Sequence, residues 1–221
     1  MEKRCILLAS FLLAVLVLPV SAQQPAGTQK INLSVEAGVT SSWASWDLSR
    51  SYDEKSLFGG IVGLRAEYGL SDHIWLQSGV RLISKGAKSE HGSTTATTKT
   101  FRPVYLEIPI TIAYKHRLSP KMTLFGSVGG YLAEGIWGQY QYKVERSSAG
   151  TKTETYNVFA SGGLKRFDAG LTGGLGAEYG RFILRADYEM GLLNAVSSST
   201  AVNTDSFKNH SVSVSLGYKF Q

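Results

Sequence analysis

Charged side chains recur at alternate positions inside apolar stretches of this sequence. The run YLEIPITIAY at residues 105–114 carries Glu107 in this way, and the run GLRAEYG carries Arg65 and Glu67. Because side chains two positions apart point to the same face of a β-strand, the spacing predicts that such charges share one face. Nine residues belong to this predicted polar face: Glu36, Arg65, Glu67, Arg81, Glu107, Glu178, Arg185, Asp187 and Glu189.

Three kinds of chemistry are open to a face that carries three arginines and six carboxylates. An internal network of ion pairs and hydrogen bonds is the favoured interpretation, because buried charges need partners. A gate or narrow ion path is one alternative, and a catalytic site is the other. Within the network we predict that Glu107 pairs with an arginine on a neighbouring strand, with Arg81 as the first candidate.

Residues that could support hydrolysis are present, but their spacing does not bring them together. A hydrolase needs a nucleophile, a base within hydrogen-bond reach and a group that orients the base. His210 and Ser211 are adjacent, so a strand would send them to opposite faces. The other histidines fall in separate turns or a loop, at His73, His91 and His116. The sequence therefore predicts no catalytic, cofactor-binding or metal-binding residues and no cofactor.

Alternation with a period of two extends along the chain and predicts β-strands rather than helices. Clear alternation occupies 31–40, 62–68, 74–82, 104–114, 182–190 and 211–220. Two glycine-rich strands are predicted near 122–137, where the phase is ambiguous, and near 167–179. Pro109 has no backbone N–H and predicts a local bulge. The pattern predicts about eight strands.

The connections between these strands alternate in length. Residues 71–73, 116–121 and 180–181 form short turns, whereas the segments at 41–57, 84–101, 138–166 and 193–209 are long and rich in Ser, Thr, Gly and charge. Short turns at one end and long loops at the other are typical of outer-membrane barrels. We therefore predict an all-β fold, an eight-stranded antiparallel up-and-down transmembrane β-barrel with both termini at the periplasmic end.

Alternation alone does not say which face is outside, and a soluble lipocalin-like barrel is the alternative. A water-facing strand surface would be dense in Lys and Glu, yet the strand lysines lie mostly near strand ends. Aromatic residues on the apolar face recur beside the short turns, which is typical of a membrane interface. This predicted interfacial ring consists of Tyr68, Tyr114, Tyr179, Tyr218 and Phe220.

The first 22 residues have the pattern of an export signal. Lys3 and Arg4 precede an apolar stretch at 6–20, and Val20-Ser21-Ala22 supplies small residues for cleavage after Ala22. Residues 23–29 then form a short N-terminal segment, and 30–221 form the barrel domain. Cleavage lowers Lys plus Arg from 23 to 21 and Asp plus Glu from 17 to 16, so the mature net charge is +5. The only cysteine, Cys5, is also removed.

The long loops supply the predicted contact regions. The loop at 41–57 carries Trp43, Trp46 and Tyr52, and the loop at 138–166 combines aromatic and basic residues, which are typical of protein interfaces. Anchoring of strand ends among lipid head groups is the alternative for Trp43, Trp46 and Trp137. The predicted partners are outer-membrane lipid and a protein that binds these two loops. The basic residues are scattered, which argues against nucleic acid.

The chain resembles the PorT-like outer-membrane β-barrel family of Bacteroidetes. Tyr105-Leu106-Glu107-Ile108-Pro109 is similar to the YLEIP signature of that family, and DAGLTGGLGAEYG at 168–180 is similar to its glycine-rich strand. The closing SLGYKF at 215–220 resembles its last strand, although Gln221 follows the final aromatic residue. The resemblance implies an outer-membrane barrel, and some members of the family act in secretion or gliding assemblies.

These patterns together predict a non-enzymatic structural or interaction module of the outer membrane. An accessory of a secretion or gliding assembly is the second hypothesis, and a lipid-modifying enzyme is a third and less favoured one.

Overall fold

The computed structural model describes residues 31–46, 53–91, 95–146, 150–160, 163–195 and 207–220. The predicted signal peptide, its cleavage site after Ala22 and the segment at 23–29 lie outside the described residues. Within those ranges, no helix is long and apolar enough to cross a membrane. The strands are β1 (Ile31–Trp46), β2 (Asp53–Gly69), β3 (Ile74–Ser84), β4 (Ala87–His91), β5 (Thr95–Arg117), β6 (Met122–Arg146), β7 (Gly150–Asn157), β8 (Phe167–Tyr179), β9 (Phe182–Gly191) and β10 (Phe207–Lys219).

Eight of these strands close an antiparallel ring. The order around the ring is β1, β2, β3, β5, β6, β8, β9 and β10, and β10 pairs again with β1. At the closure, Val39 of β1 lies between Val214 of β10 and Gly60 of β2. Closure leaves no open sheet edge in the ring, which is the condition for a sheet in hydrocarbon. The prediction of an eight-stranded antiparallel up-and-down barrel is confirmed.

The remaining strands, β4 and β7, extend the sheet beyond the ring. After an interruption at Lys85 and Gly86, β4 continues β3 and pairs with both β2 and β5. β7 pairs with the end of β6, beyond the part of β6 that pairs with β8. The predicted loops at 84–101 and 138–166 are therefore wrong for most of their length. Their Thr-rich and Tyr-rich sequences sustain strand pairing although they are polar.

The same correction applies in part to the other two long loops. Within the predicted loop at 41–57, β1 continues to Trp46 and β2 begins at Asp53. Within the predicted loop at 193–209, β10 begins at Phe207. The polar composition of these segments indicated loops, but polar strands can also stand above a membrane in water.

Side-chain exposure alternates along the ring strands. In β9, Phe182 and Leu184 are exposed, whereas Ile183 and Arg185 are buried. In β6, where the sequence left the phase ambiguous, even-numbered residues such as Val128 and Leu132 face outward, and Phe125 and Tyr131 face inward. The apolar residues therefore cover the outer wall of the ring, and the polar residues fill its lumen.

The irregularity in the sheet is at Ile136 and not at Pro109. Val104 pairs with Trp137 and Tyr105 pairs with Gly135, so Ile136 is an extra residue that leaves both it and Trp137 exposed. Pro109 keeps a constant register with β6, and the prediction of a bulge there is wrong. The pairing with β3 omits only Ile108 and Pro109 itself and resumes in the same register, so the missing N–H costs a ladder bond without an inserted residue.

Candidate functional site

A cluster of buried charges, the upper cluster, occupies the lumen next to the β3–β4 interruption. The Nε of Arg81 donates a hydrogen bond to Oε1 of Glu107 at 2.7 Å. The Nζ of Lys85 lies 2.8 Å from Oε2 of Glu107 and 2.9 Å from Oε2 of Glu189. Arg81 also binds Glu189, and the hydroxyl of Ser211 donates to Glu189 at 3.0 Å. Each carboxylate therefore contacts two cationic groups.

The sheet register explains how the upper cluster forms. Arg81 of β3 and Glu107 of β5 are direct cross-strand partners, so their side chains meet on the inner face. Glu189 reaches them from β9, on another part of the ring. Lys85 lies at the interruption after β3, where its backbone N–H donates to the carbonyl of Pro103 at 3.1 Å. Lys85 was not among the residues predicted to face the lumen, although positions 81, 83 and 85 continue one phase.

A second cluster, the lower cluster, lies nearer the short turns. The Nζ of Lys115 is 2.6 Å from Oε2 of Glu67 and also binds Glu178. Lys219 binds the other oxygen of Glu178, and Gln77 donates to Oε1 of Glu67 at 2.6 Å. The two carboxylates were predicted to face the lumen, but the two lysines were not, because they lie near strand ends where lysine usually points into water.

Two arginines link neighbouring strands beside these clusters. Arg65 forms a two-point contact with Glu36, at 3.1 and 3.3 Å from its Oε2. Arg185 lies 3.4 Å from Oδ1 of Asp187 and donates to the side-chain oxygen of Gln77 at 3.2 Å. All nine residues of the predicted polar face are thus buried and have at least one polar or ionic contact.

Asp168 is a further buried carboxylate and was not among the residues predicted for the polar face. It accepts hydrogen bonds from the hydroxyl of Tyr131 at 3.3 Å and from the amide of Asn209 at 3.0 Å. The alternation of the sequence could have shown this. Asp168 lies an odd number of residues before the exposed Leu171 and Leu175, and therefore on the inward face of β8. Its neighbours are neutral hydrogen-bond donors rather than cations in direct contact.

An apolar cap lies over the lumen beside the upper cluster. This lumen cap consists of Val158, Phe159 and Leu164, from the connection between β7 and β8. The ring of Phe159 meets the buried Tyr105 edge-on, with centroids 5.9 Å apart. A Cβ at Gly135 would lie 2.2 Å from the Phe159 ring, so glycine is required there for the cap to seat. The guanidinium of Arg166 lies 4.9 Å from the same ring.

The residues of the predicted interfacial ring lie on the outer wall, beside the short turns. Tyr114, Tyr179, Tyr218 and Phe220 are exposed, and Tyr68 is half-buried. Phe182, which the prediction left out, packs edge-on against Tyr218 at 5.7 Å, and Tyr218 packs against Phe220 at 6.0 Å. Their level follows from register, since Tyr179 and Tyr218 both pair with Phe182.

His210 and Ser211 face opposite sides of β10. Ser211 is buried in the lumen, whereas His210 lies on the outer wall. The His210 ring stacks on Trp43 at 6.0 Å, and its Nδ1 lies 3.2 Å from the Tyr188 hydroxyl. The histidine is therefore separated from the luminal serine by the sheet. In the described part of the chain, no group of three or more His, Cys, Asp or Glu side chains could hold a metal ion.

The strands beyond the ring form what we call the surface sheet: β4, residues 95–101 of β5, residues 139–146 of β6, and β7. Three rings stack across it, with Phe101 and Tyr140 at 4.6 Å and Tyr140 and Tyr156 at 6.3 Å. Burial and the neighbouring tyrosines raise the pKa of Tyr140. Of the residues predicted as contacts, Tyr52 and the side chains of Trp46, Glu145 and Arg146 lie outside the described set.

The comparison with protein families agrees with a membrane barrel. A family model described as outer membrane protein beta-barrel domain matches residues 21–197. No curated protein matches the sequence.

Several solved structures resemble the chain at low identity. Ail, the attachment invasion locus protein of Yersinia pestis, in complex with the heparin analogue sucrose octasulfate, is 18% identical over 86% of this chain and 99% of its own, with a TM-score of 0.42. Neisserial surface protein A is 15% identical over 85% of this chain and 97% of its own, with a TM-score of 0.42. The outer membrane protein OprG from Pseudomonas aeruginosa is 12% identical over 88% and 98%, with a TM-score of 0.45.

Proposed function

Because the chain belongs to the outer membrane protein beta-barrel domain family, we propose that it is a non-enzymatic, non-conducting barrel. In this proposal the strands that extend above the membrane make its functional contacts. The observation that carries this proposal is the upper cluster, in which Arg81 and Lys85 together bind Glu107 and Glu189. The proposal assigns the barrel an anchoring role and the surface sheet a contact role.

The luminal charges support a closed barrel. An eight-stranded barrel has an interior that its own side chains just fill. An ion passing through would have to displace cationic groups from carboxylates that are 0% exposed in the case of Glu107 and 1% in the case of Glu189. Uncovering such buried charges costs several kcal/mol each. The buried charges of the lower cluster would block an ion in the same way. The apolar side chains of the lumen cap would block it as well.

The lengths of the strands support a contact role for the surface sheet. A tilted strand needs about 9–11 residues to cross the hydrocarbon. β5 has 23 residues and β6 has 25, so more than half of each stands beyond the hydrocarbon. With the predicted interfacial ring at one membrane surface, the short turns lie there too, and the excess strand length extends on the opposite side. In the predicted orientation this is the outside of the cell.

The outer wall supports lipid as the partner of the ring. Leu64, Val128 and Leu175 are 62%, 68% and 71% exposed. A wall of such residues around a closed sheet would be unstable in water but suits hydrocarbon. Among the residues on the outer wall, Trp43 and Trp137 lie at the end away from the short turns, where head-group contact is expected.

Recordings in planar lipid bilayers test the closed barrel. Purified protein that migrates faster unboiled than boiled in SDS gels is folded, and we expect it to give no discrete current steps. An Arg81→Ala/Glu189→Ala variant that keeps this gel shift serves as the comparison, since it removes four luminal ion pairs while the cap and the lower cluster remain. Regular current steps from the folded wild-type protein would contradict the proposed function.

We also propose that the chain is a PorT-like member of its family and that the mature protein begins at Gln23. Tyr105 and Glu107 of the YLEIP stretch support the resemblance, because both are fully buried and hold the cap and the upper cluster. N-terminal sequencing of protein recovered from outer membranes tests the cleavage site. A first residue other than Gln23 would contradict it.

A further inference from the structure

We propose that β7 pairs edge to edge with β7 of a second copy, and that this pairing joins copies in facing membranes. The inference rests on the proposed function, since it names the partner of the surface sheet. It is a homophilic contact, which would tether one outer membrane to another.

The free edge of β7 is the first observation. Residues 150–157 pair with β6 on one side, and no strand among the described residues pairs with β7 on the other. The side chains of Thr151, Thr153 and Thr155 are exposed, and Lys152 is 81% exposed. Exposed edge strands offer unpaired backbone N–H and C=O groups to another strand. β7 has eight residues and contains no proline or bulge that would block such pairing.

Backbone geometry limits how two β7 edges can meet. In an antiparallel pair, successive residues direct their N–H and C=O groups to opposite edges of the strand. Every second residue of β7 is thus committed to β6, and the others face the free edge. Two copies can form hydrogen bonds only if residues that face the free edge in one copy lie opposite residues that face the free edge in the other. The two-fold axis must therefore lie level with one residue, midway between its two copies, and not level with the bond between two residues. An axis at Thr153 or Glu154 gives the longest overlap of the eight residues.

Charge then selects between these two registers. An axis at Glu154 places two carboxylates directly opposite each other, which destabilises a sheet. An axis at Thr153 places Lys152 of each copy opposite Glu154 of the other, which gives two pairs of opposite charge. It also pairs Thr153 with itself and Thr151 with Thr155, and such threonine pairs are favourable. The sequence TKTET at 151–155 is therefore complementary to itself in one register.

Lys152 and Glu154 already lie close together on one face of β7. The Nζ of Lys152 is 2.7 Å from Oε1 of Glu154, and the hydroxyl of Tyr156 donates to Oε2 at 2.6 Å. In the paired state, each of the two carboxylates would have a lysine on its own strand and another directly opposite. The four charges would form a square of alternating sign, which is the arrangement that stabilises both pairs.

The orientation of the strand shows where the second copy must be. Strands of membrane barrels tilt by about 35–45° from the barrel axis, so β7, which continues the sheet of β6, has a large component along the membrane normal. Copies in one membrane are related by rotation about that normal, which leaves this component unchanged. An antiparallel partner must reverse it. The second barrel therefore points the opposite way, from a facing membrane.

Cysteine cross-linking between two liposome populations tests the pairing. The predicted mature chain has no cysteine, because Cys5 lies in the signal peptide. Full-length mature Thr153→Cys protein is reconstituted into two populations that carry different dyes, the populations are mixed, and oxidised dimers are measured with vesicle clustering. The two Thr153 residues would be about 4.5–5.5 Å apart between Cα atoms, within disulfide range. We expect dimers and clustering in the mixture.

Thr155→Cys is the matched control, because this position is also exposed and lies on the same strand. In the proposed register Thr155 faces Thr151, so the two Thr155 residues are roughly 14 Å apart and cannot be bridged. Equal cross-linking at both positions would overturn the register. Cross-linking that also forms when all barrels share one vesicle, without clustering, would overturn the facing-membrane arrangement.

Charge reversal provides a second test that does not depend on cysteine. Lys152→Glu and Glu154→Lys each place like charges opposite each other, and each should weaken clustering about tenfold. The double variant Lys152→Glu/Glu154→Lys restores opposite charges and should restore clustering. If folded, non-conducting protein gives neither cross-links nor clustering, the inference fails while the proposed function stands. Current steps from the same protein would instead count against the proposed function.

Discussion

Arg81 and Glu189 are 108 positions apart in the chain, and their side chains form an ion pair across the lumen. Arg81 belongs to β3 and Glu189 to β9, and along the ring three strands separate these two in either direction. The pair therefore joins opposite parts of the ring, whereas backbone hydrogen bonds join only neighbours. Lys85 reinforces this connection by binding both Glu107 and Glu189.

Lys85→Met should strongly destabilise the barrel. Lys85 is 2% exposed, and its removal leaves Glu107 and Glu189 to share a single cation, Arg81, with Ser211 as a neutral donor to Glu189. Breaking a buried ion pair by removing one partner costs about 3–5 kcal/mol. Urea unfolding in detergent, followed by tryptophan fluorescence, measures the change. Lys152→Met removes a lysine from an exposed pair and is the control, and it should leave the unfolding midpoint unchanged.

Glu107→Gln should cost less than Lys85→Met, about 1–3 kcal/mol, because glutamine keeps the shape and one acceptor for Arg81. The two changes act on one network, so the double variant should be more stable than the sum of the single effects predicts. A double-mutant cycle by urea unfolding measures this coupling. Strict additivity would show that Lys85 and Glu107 do not interact in the folded barrel.

Gly38→Ala should destabilise the closure of the ring. A Cβ at Gly38 would lie 2.1 Å from the carbonyl oxygen of Val214 and 2.6 Å from the Cα of Ser215, both in the backbone of β10. Such crowding costs about 1–3 kcal/mol or more, because β1 and β10 must move apart. Gly60→Ala is the control on β2, since its Cβ would lie 3.9 Å from the nearest atom. The temperature at which the SDS-gel shift is lost compares the two.

Phe159→Ala should loosen the lumen cap without opening the barrel to ions. The ring of Phe159 is half-buried against Tyr105, so its loss should cost about 2 kcal/mol, less than a fully buried phenylalanine. The two charged clusters lie beyond the cap and should still block conduction. Planar-bilayer recordings and urea unfolding check both parts. Conduction by the variant alone would identify Phe159 as the gate.

His210→Ala should leave the composition of lipid A unchanged. His210 lies on the outer wall and Ser211 lies in the lumen, so they cannot act as a base and nucleophile pair. Mass spectrometry of lipid A from cells with wild-type and variant protein makes the comparison. A profile that depends on His210 would revive the enzyme hypothesis and would point to Tyr188, whose hydroxyl lies 3.2 Å from the histidine.

The alternation of the sequence, together with the common level of the aromatic residues, was sufficient to predict the ring and the faces of its strands, except for β6, whose phase was ambiguous. It placed Arg81 and Glu107 on one inner face, and the structure has them in contact. It did not reveal Lys85 or Lys115, because lysines near a strand end usually extend into water. Here the ammonium groups lie inside, between carboxylates that strands from elsewhere in the ring supply. Such partners depend on tertiary arrangement, which period-two alternation does not contain.

The alternation of the sequence also did not predict how far the strands extend. β7 reads as a polar loop by composition, but alternating threonines and Tyr156 are good strand residues once β6 offers a paired edge. The sequence does not indicate the lumen cap either, since Val158 and Phe159 are simply two apolar residues in a connection between strands. Only the position of Tyr105 and Gly135 in the folded ring gives them a place to pack.

The link between Ser211 and Glu189 has a consequence for the order of assembly. Ser211 belongs to β10, the last of the described strands along the chain, and Glu189 belongs to β9, the described strand before it. A chain that stops before β10 cannot close the ring on β1 and cannot complete the shell of donors around Glu189. Closure of the ring and completion of the hydrogen bonds around Glu189 therefore depend on the same strand, so a chain without β10 would lose the pairing with β1 and one luminal donor together.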